Sequence, residues 1–131
     1  MVLETSQMLC TALHLNTSLD DIPYKIAHPK HPCSIWAASA VGNYLWLCDL
    51  GRALAEEYTY RYDKIHKCTA VIDFCIRHAK LINDGAMTQF ALAMPDEYKD
   101  PDAIISYRNF YRFGKTHFTH SWTRRGRPYW W

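Results

Sequence analysis

Trp36, Ala40, Tyr44, Leu47, Leu50, Leu54 and Tyr58 recur every third or fourth residue between Ser34 and Tyr62. A helix turns once in about 3.6 residues, so this spacing gathers the side chains into one apolar stripe, where a strand would scatter them over two faces. Such a stripe needs other helices to cover it. Val2 to Leu15 supplies one, with Leu3, Met8, Leu9, Ala12, Leu13 and Leu15 and no breaker between them. Lys67 to Leu81 supplies another, with Val71, Phe74, Cys75 and His78 on one side and Asn83-Asp84-Gly85 to end it. Gly42 and Gly51 interrupt the central stretch, and either marks a break or a close helix crossing.

Punctuation divides the rest. Asn16 to Pro32 reads as a loop, with Pro23, Pro29 and Pro32, the last placed for the first turn of the following helix. Thr88 to Lys99 is irregular around Met94-Pro95, and Met87 and Met94 read as core filler. Asp100-Pro101-Asp102 then starts a last long helix, with Asp100 as cap, Pro101 in the first turn and Asp102 against the positive helix end. It sets Ile104, Tyr107, Tyr111 and Lys115 on one side, and Ile105, Arg108 and Arg112 on another. At 131 residues, with no repeats, the expectation is an all-α fold: a single-domain helical bundle over residues 1–131 with long loops and a basic aromatic tail.

Charge is the second strong signal. The net charge is only +2, yet no acidic residue follows Asp102. Beyond Ser106 come Arg108, Arg112, Lys115, Arg124, Arg125 and Arg127, interleaved with aromatic residues and closing on Tyr129-Trp130-Trp131. Guanidinium forks hold phosphates and flat rings stack on bases, so this mixture suits a nucleic-acid or nucleotide partner. The local asymmetry makes one positive face. No apolar run has transmembrane length, and the five cysteines form no Cys-x-x-Cys pair; reduced thiols in the cytoplasm are the expectation, with no membrane partner. There is no Gly-rich phosphate loop, no Gly-x-Ser-x-Gly and no His-Glu-x-x-His, and no cofactor is expected.

Two further clusters carry chemistry-bearing side chains. Around the end of the central helix, Glu57 and Arg61 stand four apart and pair on a helix, while Lys64, His66 and Lys67 gather at a junction suited to a phosphate. His28-Pro29-Lys30-His31-Pro32-Cys33 holds two imidazoles and a thiol, but a closed zinc site needs a fourth ligand and none is adjacent; His31 reads as structural or phosphate-facing, and no metal is expected. Cys68 and Cys75 share a helical face as small core residues.

The order of these motifs resembles the pyrimidine-dimer DNA glycosylases typified by phage endonuclease V, and also a set of uncharacterised phage and large-DNA-virus proteins. The family's helix with its catalytic glutamate is similar to Leu3-Glu4-Thr5-Ser6-Gln7-Met8-Leu9. Its central segment resembles Tyr24-Lys25 through His31-Pro32, followed by Glu56-Glu57 and Arg61-Tyr62-Asp63. Its late loop resembles Met94-Pro95-Asp96-Glu97-Tyr98-Lys99, and its aromatic ending Arg127-Pro128-Tyr129-Trp130-Trp131. The resemblance implies an all-α fold that grips bent duplex DNA, with Glu4 assisting attack of an N-terminal amine on a sugar C1′ and strand cleavage by β-elimination. The family carries that amine and a histidine on a longer segment ahead of its glutamate, with arginines flanking it. Here three residues precede Glu4, and Leu3 and Gln7 stand where the arginines would be.

Three functional expectations follow. The first is a DNA-binding protein of the dimer-glycosylase type, with glycosylase/lyase activity as an extension. Glu4 is its catalytic residue; Lys99, Arg108, Arg112, Lys115, Arg124, Arg125 and Arg127 contact phosphates, and Tyr129, Trp130 and Trp131 stack on bases. The second is a viral binder of a small nucleotide, acting in the host cytoplasm with the same residues joined by His31, Arg61, Lys64, His66 and Lys67. The third is a structural helical protein whose terminal Trp pair docks on another subunit.

Overall fold

Helix α1, Val2–Asn16, lies at the centre of the N-terminal part of the chain in a computed structural model that describes residues 1–131. It buries Val2, Leu9, Cys10, Ala12 and Leu13 against α2 (Pro32–Ser39), α3 (Val41–Tyr62) and α4 (Thr69–Arg77). The polar residues on its buried side are satisfied locally: Ser6 donates to the Leu3 carbonyl at 2.8 Å, and Thr11 exchanges two hydrogen bonds with the Ala27 backbone at 3.0 and 3.1 Å. Thr11 thereby fastens the proline-rich loop to the helix, which spares Ala27 the cost of unpaired backbone groups. No strand is present, so the fold is all-α, and no helix is long and apolar enough to cross a membrane. By its contacts the chain divides into two compact units, 1–89 and 90–131.

In unit 1 the central stretch is two helices, parted at Ala40, whose backbone is extended. The cause lies far along the chain. The N–H groups of Val41 and Gly42 donate to the carbonyls of Asn83 and Gly85 at 2.8 and 3.0 Å, which caps α3 with backbone from the end of the unit. Gly42 permits that approach, because a Cβ there would overlap the backbone nitrogen of Met87. Gly51 serves the helix crossing: its added Cβ would stand 3.1 Å from Ile72 and 3.2 Å from Thr5. Asn43, fully buried, completes the joint, donating to the Trp36 carbonyl at 2.8 Å and accepting from the Thr88 N–H at 2.8 Å.

The helix expected over Lys67 to Leu81 is shorter, Thr69–Arg77, followed by a 3-10 turn at Ala79–Leu81. Tyr44 is its buried anchor, donating its hydroxyl to the Cys75 carbonyl at 2.7 Å. α3 ends at Asp63, which takes the left-handed conformation (φ 53) common at helix C-termini.

Unit 2 has one α-helix, α5, Ala103–Asn109, which widens into a single π turn at Phe110–Gly114. The expected long helix from Asp100 to Lys115 is therefore shortened at both ends. Asp102, not Asp100, is the cap: its carboxylate accepts from Ile104 N–H at 2.7 Å and Ile105 N–H at 3.3 Å. Asp100 instead closes the preceding turn, receiving the Asp102 N–H at 2.9 Å and giving its own N–H to the buried Ser106 hydroxyl at 2.8 Å. At the far end Gly114 leaves room for the Phe110 and Tyr98 rings, where a Cβ would stand 2.5 and 2.9 Å from them. Tyr107 ties the irregular segment to α5 by donating to the Ala91 carbonyl at 2.6 Å.

Candidate nucleic-acid interface

The C-terminal cations are held over aromatic rings. In unit 2 the Arg108 guanidinium lies 5.6 Å from the Tyr129 ring centroid and 5.2 Å from that of Trp130. Lys115 sits among three rings, with its ammonium 5.2 Å from Phe110, 5.1 Å from Tyr111 and 5.6 Å from Phe118. Arg112 lies 5.0 Å from Phe113. A ring attracts a cation through its quadrupole but carries no net charge. It can therefore fix where the cation stands without neutralising it, as a carboxylate would.

The tail wraps back on itself. Trp131 contacts Trp122 at 5.1 Å, His120 at 4.3 Å and Trp130 at 5.6 Å, and Arg127 donates to the Trp131 carbonyl at 3.2 Å. Arg124 and Arg125 lie on the exposed turn before it. Tyr129 is 91% exposed, the most open large ring of the molecule. Trp130 and Trp131 are half-buried, so of the three rings expected to stack on bases Tyr129 alone presents a whole face. Lys99 stands apart from this group: it pairs with Asp96 at 2.8 Å, and its ammonium holds the Asp96 carboxyl below the usual carboxylate range.

Unit 1 brings Glu4 and His31 together. They line one cleft of about 180 Å³ with Gln7, Met8, Ala27, His28 and Ser34. The Glu4 carboxylate is exposed and lies 2.7 Å from the Met1 amine. His31 caps α2, its Nδ1 accepting the Cys33 N–H at 3.1 Å, which leaves Nε2 as the proton-bearing nitrogen of the neutral ring. His28 holds a left-handed backbone (φ 48), and Ser34 is buried. In the sequence His28 reads as a metal-capable side chain, Gln7 stands only where the resemblance expects an arginine, and Ser34 carries no signal; the turn that gathers them is made by the Thr11–Ala27 bonds, which no local motif announces. No three His, Cys, Asp or Glu side chains of the chain converge as a metal-holding group.

The third cluster is less open to a ligand. Arg61 gives its Nε–H to Glu57 at 2.8 Å. His66 turns its Nδ1 to the Cys68 N–H at 3.0 Å and its ring against Tyr58 at 4.7 Å. Lys64 and Lys67 are exposed on either side of it. A larger cleft of about 420 Å³ lies nearby between α3 and α4, floored by Ala55 and Ile72 and edged by Arg52, Glu56 and Asp73.

Comparison with protein-family models, with curated proteins and with solved structures returns no match.

Proposed function

We propose that the protein binds nucleic acid, DNA foremost, through the cation–aromatic face of unit 2, in the manner of the pyrimidine-dimer glycosylases its motifs resemble. One observation carries the reading: Arg108, Arg112 and Lys115 are positioned by rings and keep their charge for phosphate oxygens. Phosphates release condensed counterions when such cations replace them, so binding of this kind weakens steeply with salt. Tyr129, and to a smaller extent Trp130, offer faces to bases. The test is duplex and single-stranded DNA binding by fluorescence anisotropy across a salt series. Affinity that falls linearly in log–log form, and that is lost when Arg108, Arg112 and Lys115 become alanine, supports it; no binding at low salt removes it.

Glycosylase/lyase activity is the catalytic extension. Its support is the cleft that Glu4, Gln7, His28 and His31 line together. A carboxylate beside imidazoles is suited to moving a proton during attack at a sugar carbon. Borohydride trapping on an abasic or dimer-containing duplex tests it: a covalent adduct lost in Glu4→Gln supports turnover, and no adduct with the wild type confines the protein to binding. A small nucleotide is the second reading, with the same Arg, Lys, His and aromatic side chains closing on a compact ligand in place of a strand. A thermal-shift screen separates the two, since a ligand at a hundred times its Kd adds about 2.7 kcal/mol of stability.

A further inference from the structure

We propose that Cys10 and Cys75 form a dithiol site that takes a peroxide as oxidant and closes to a disulfide joining α1 to α4. Their Sγ atoms stand 3.8 Å apart although 65 residues separate them in sequence. Both side chains are fully buried, and α1 packs directly on α4. Two sulfurs in contact across a helix seam need to approach by less than about 2 Å to reach the S–S bond length of about 2.05 Å.

The other thiols are placed differently. Cys68 is engaged by the Tyr24 hydroxyl at 3.4 Å, and Cys33 is the one cysteine that is not buried. Within the pair the two sulfurs have unequal roles. Cys10 receives the Cys75 S–H and a backbone hydrogen bond from Tyr24, which together hold its thiol below the ordinary range against the effect of burial. Cys75, as donor to Cys10 and buried, is pushed up and stays protonated. At this separation either sulfur can donate to the other, and in the proposal Cys10 is the attacking sulfur and Cys75 the resolving one.

The Cys10 thiolate attacks one peroxide oxygen; the S–O bond forms, the O–O bond breaks, and hydroxide leaves to take up the proton Cys10 had released. The Cys75 sulfur then attacks the sulfenic sulfur. The S–S bond forms, the S–O bond breaks, and hydroxide departs with the Cys75 proton as a second water. Two thiols are oxidised to one disulfide, and hydrogen peroxide, the oxidant in this sequence, is reduced to two waters. Since both sulfurs lie inside the core, oxidant reaches them as the α1–α4 seam opens, so Cys33 reacts first.

The experiment uses the full-length chain, reduced, exposed to hydrogen peroxide, alkylated under denaturing conditions and digested without reductant. Mass spectrometry is expected to find the Cys10 and Cys75 peptides joined within one chain, the link lost on adding dithiothreitol. Cys33→Ala keeps that link, and the oxidised chain melts at a higher temperature than the reduced one, because the new bond closes a long loop. Three results overturn the proposal: Cys10 and Cys75 still alkylatable after Cys33 has been oxidised, Cys48 or a second chain found as the partner, or oxidation that lowers the melting temperature.

Discussion

The Arg108 guanidinium stands 5.2 Å from the centroid of the Trp130 ring and 5.6 Å from that of Tyr129, so one cation from α5 sets the position of two rings from the end of the chain. Local sequence alone does not bring these residues together. The relationship makes Arg108 both a phosphate-facing charge and a support for the stacking surface, and the two roles separate on mutation. Arg108→Lys retains the charge and loses the planar face that lies on the rings. We expect it to keep most of the salt dependence of DNA binding while lowering affinity for single strands. Arg108→Ala loses both, and tryptophan fluorescence shifts as Trp130 is released. Unchanged fluorescence in Arg108→Ala would show that the rings do not rest on this cation.

A second prediction concerns the joint between α2 and α3. Asn43 bridges the Trp36 carbonyl and the Thr88 N–H from a fully buried position. Asn43→Ala strands the Thr88 N–H, at a cost of about 1–3 kcal/mol, while the Trp36 carbonyl keeps its bond from the Ser39 hydroxyl. Gly42→Ala forces a Cβ onto the Met87 backbone at the same joint and is expected to cost about 1–3 kcal/mol. Urea denaturation checks both, and a midpoint equal to that of the wild type for either variant would contradict the joint as described.

How much of this was legible in the sequence depends on how far away the deciding partner lies. The apolar stripe from Trp36 to Tyr58 announced helix, and helix is found on both sides of Ala40. The break itself was not legible, because the carbonyls that cap α3 belong to Asn83 and Gly85. Asp102 takes the cap from Asp100 because the Asp100 carboxylate is spent on the Asp102 N–H while the Asp100 backbone is held by Ser106 from inside the helix. The interleaving of cations with rings could be read directly from the tail, whereas the pairing of each cation with its rings required the fold. Glu4 and His31 were each singled out, but their shared cleft depends on Thr11 fastening the loop at Ala27. The contact of Cys10 with Cys75 had no signal in the spacing of the cysteines.

Alkaline pH is expected to unfold unit 1. Burial, with Asp49 adding to it, pushes the Cys48 thiol up to about 12, and burial likewise pushes the Tyr44 phenol far up. These groups are held neutral in the folded chain and ionise at their ordinary values, about 8.5 for a thiol and about 10 for a phenol, once unfolded. Their contribution is therefore fully present below pH of about 8.5 and is lost as pH rises towards the folded values, at up to about 1.4 kcal/mol per pH unit for each group. Melting temperatures measured from pH 7 to 11 should fall above pH of about 9, and Cys48→Ala should make the fall shallower. A flat profile in the wild type would contradict the buried, neutral state of these side chains.

Asp102→Ala removes the side-chain cap of α5 and should destabilise unit 2 by about 1 kcal/mol, while Asp100→Ala loses only the carboxylate bond to the Asp102 N–H and keeps its backbone bonds to Ser106. Amide exchange resolves the difference: Ile104 and Ile105 lose protection in Asp102→Ala and retain it in Asp100→Ala. Protection lost equally in both would return the cap to Asp100.

The most direct test of the account is the salt dependence of duplex DNA binding by the wild type and by a variant with Arg108, Arg112 and Lys115 all replaced by alanine, with circular dichroism to establish that the variant is folded. Each phosphate contact contributes about 0.9 to the slope of log K against log salt. If the ring-held cations meet phosphates, the wild type shows a steep slope and the variant one that is shallower by roughly 2–3. Absence of measurable binding by the wild type at low salt, or an identical slope in the folded variant, would contradict it.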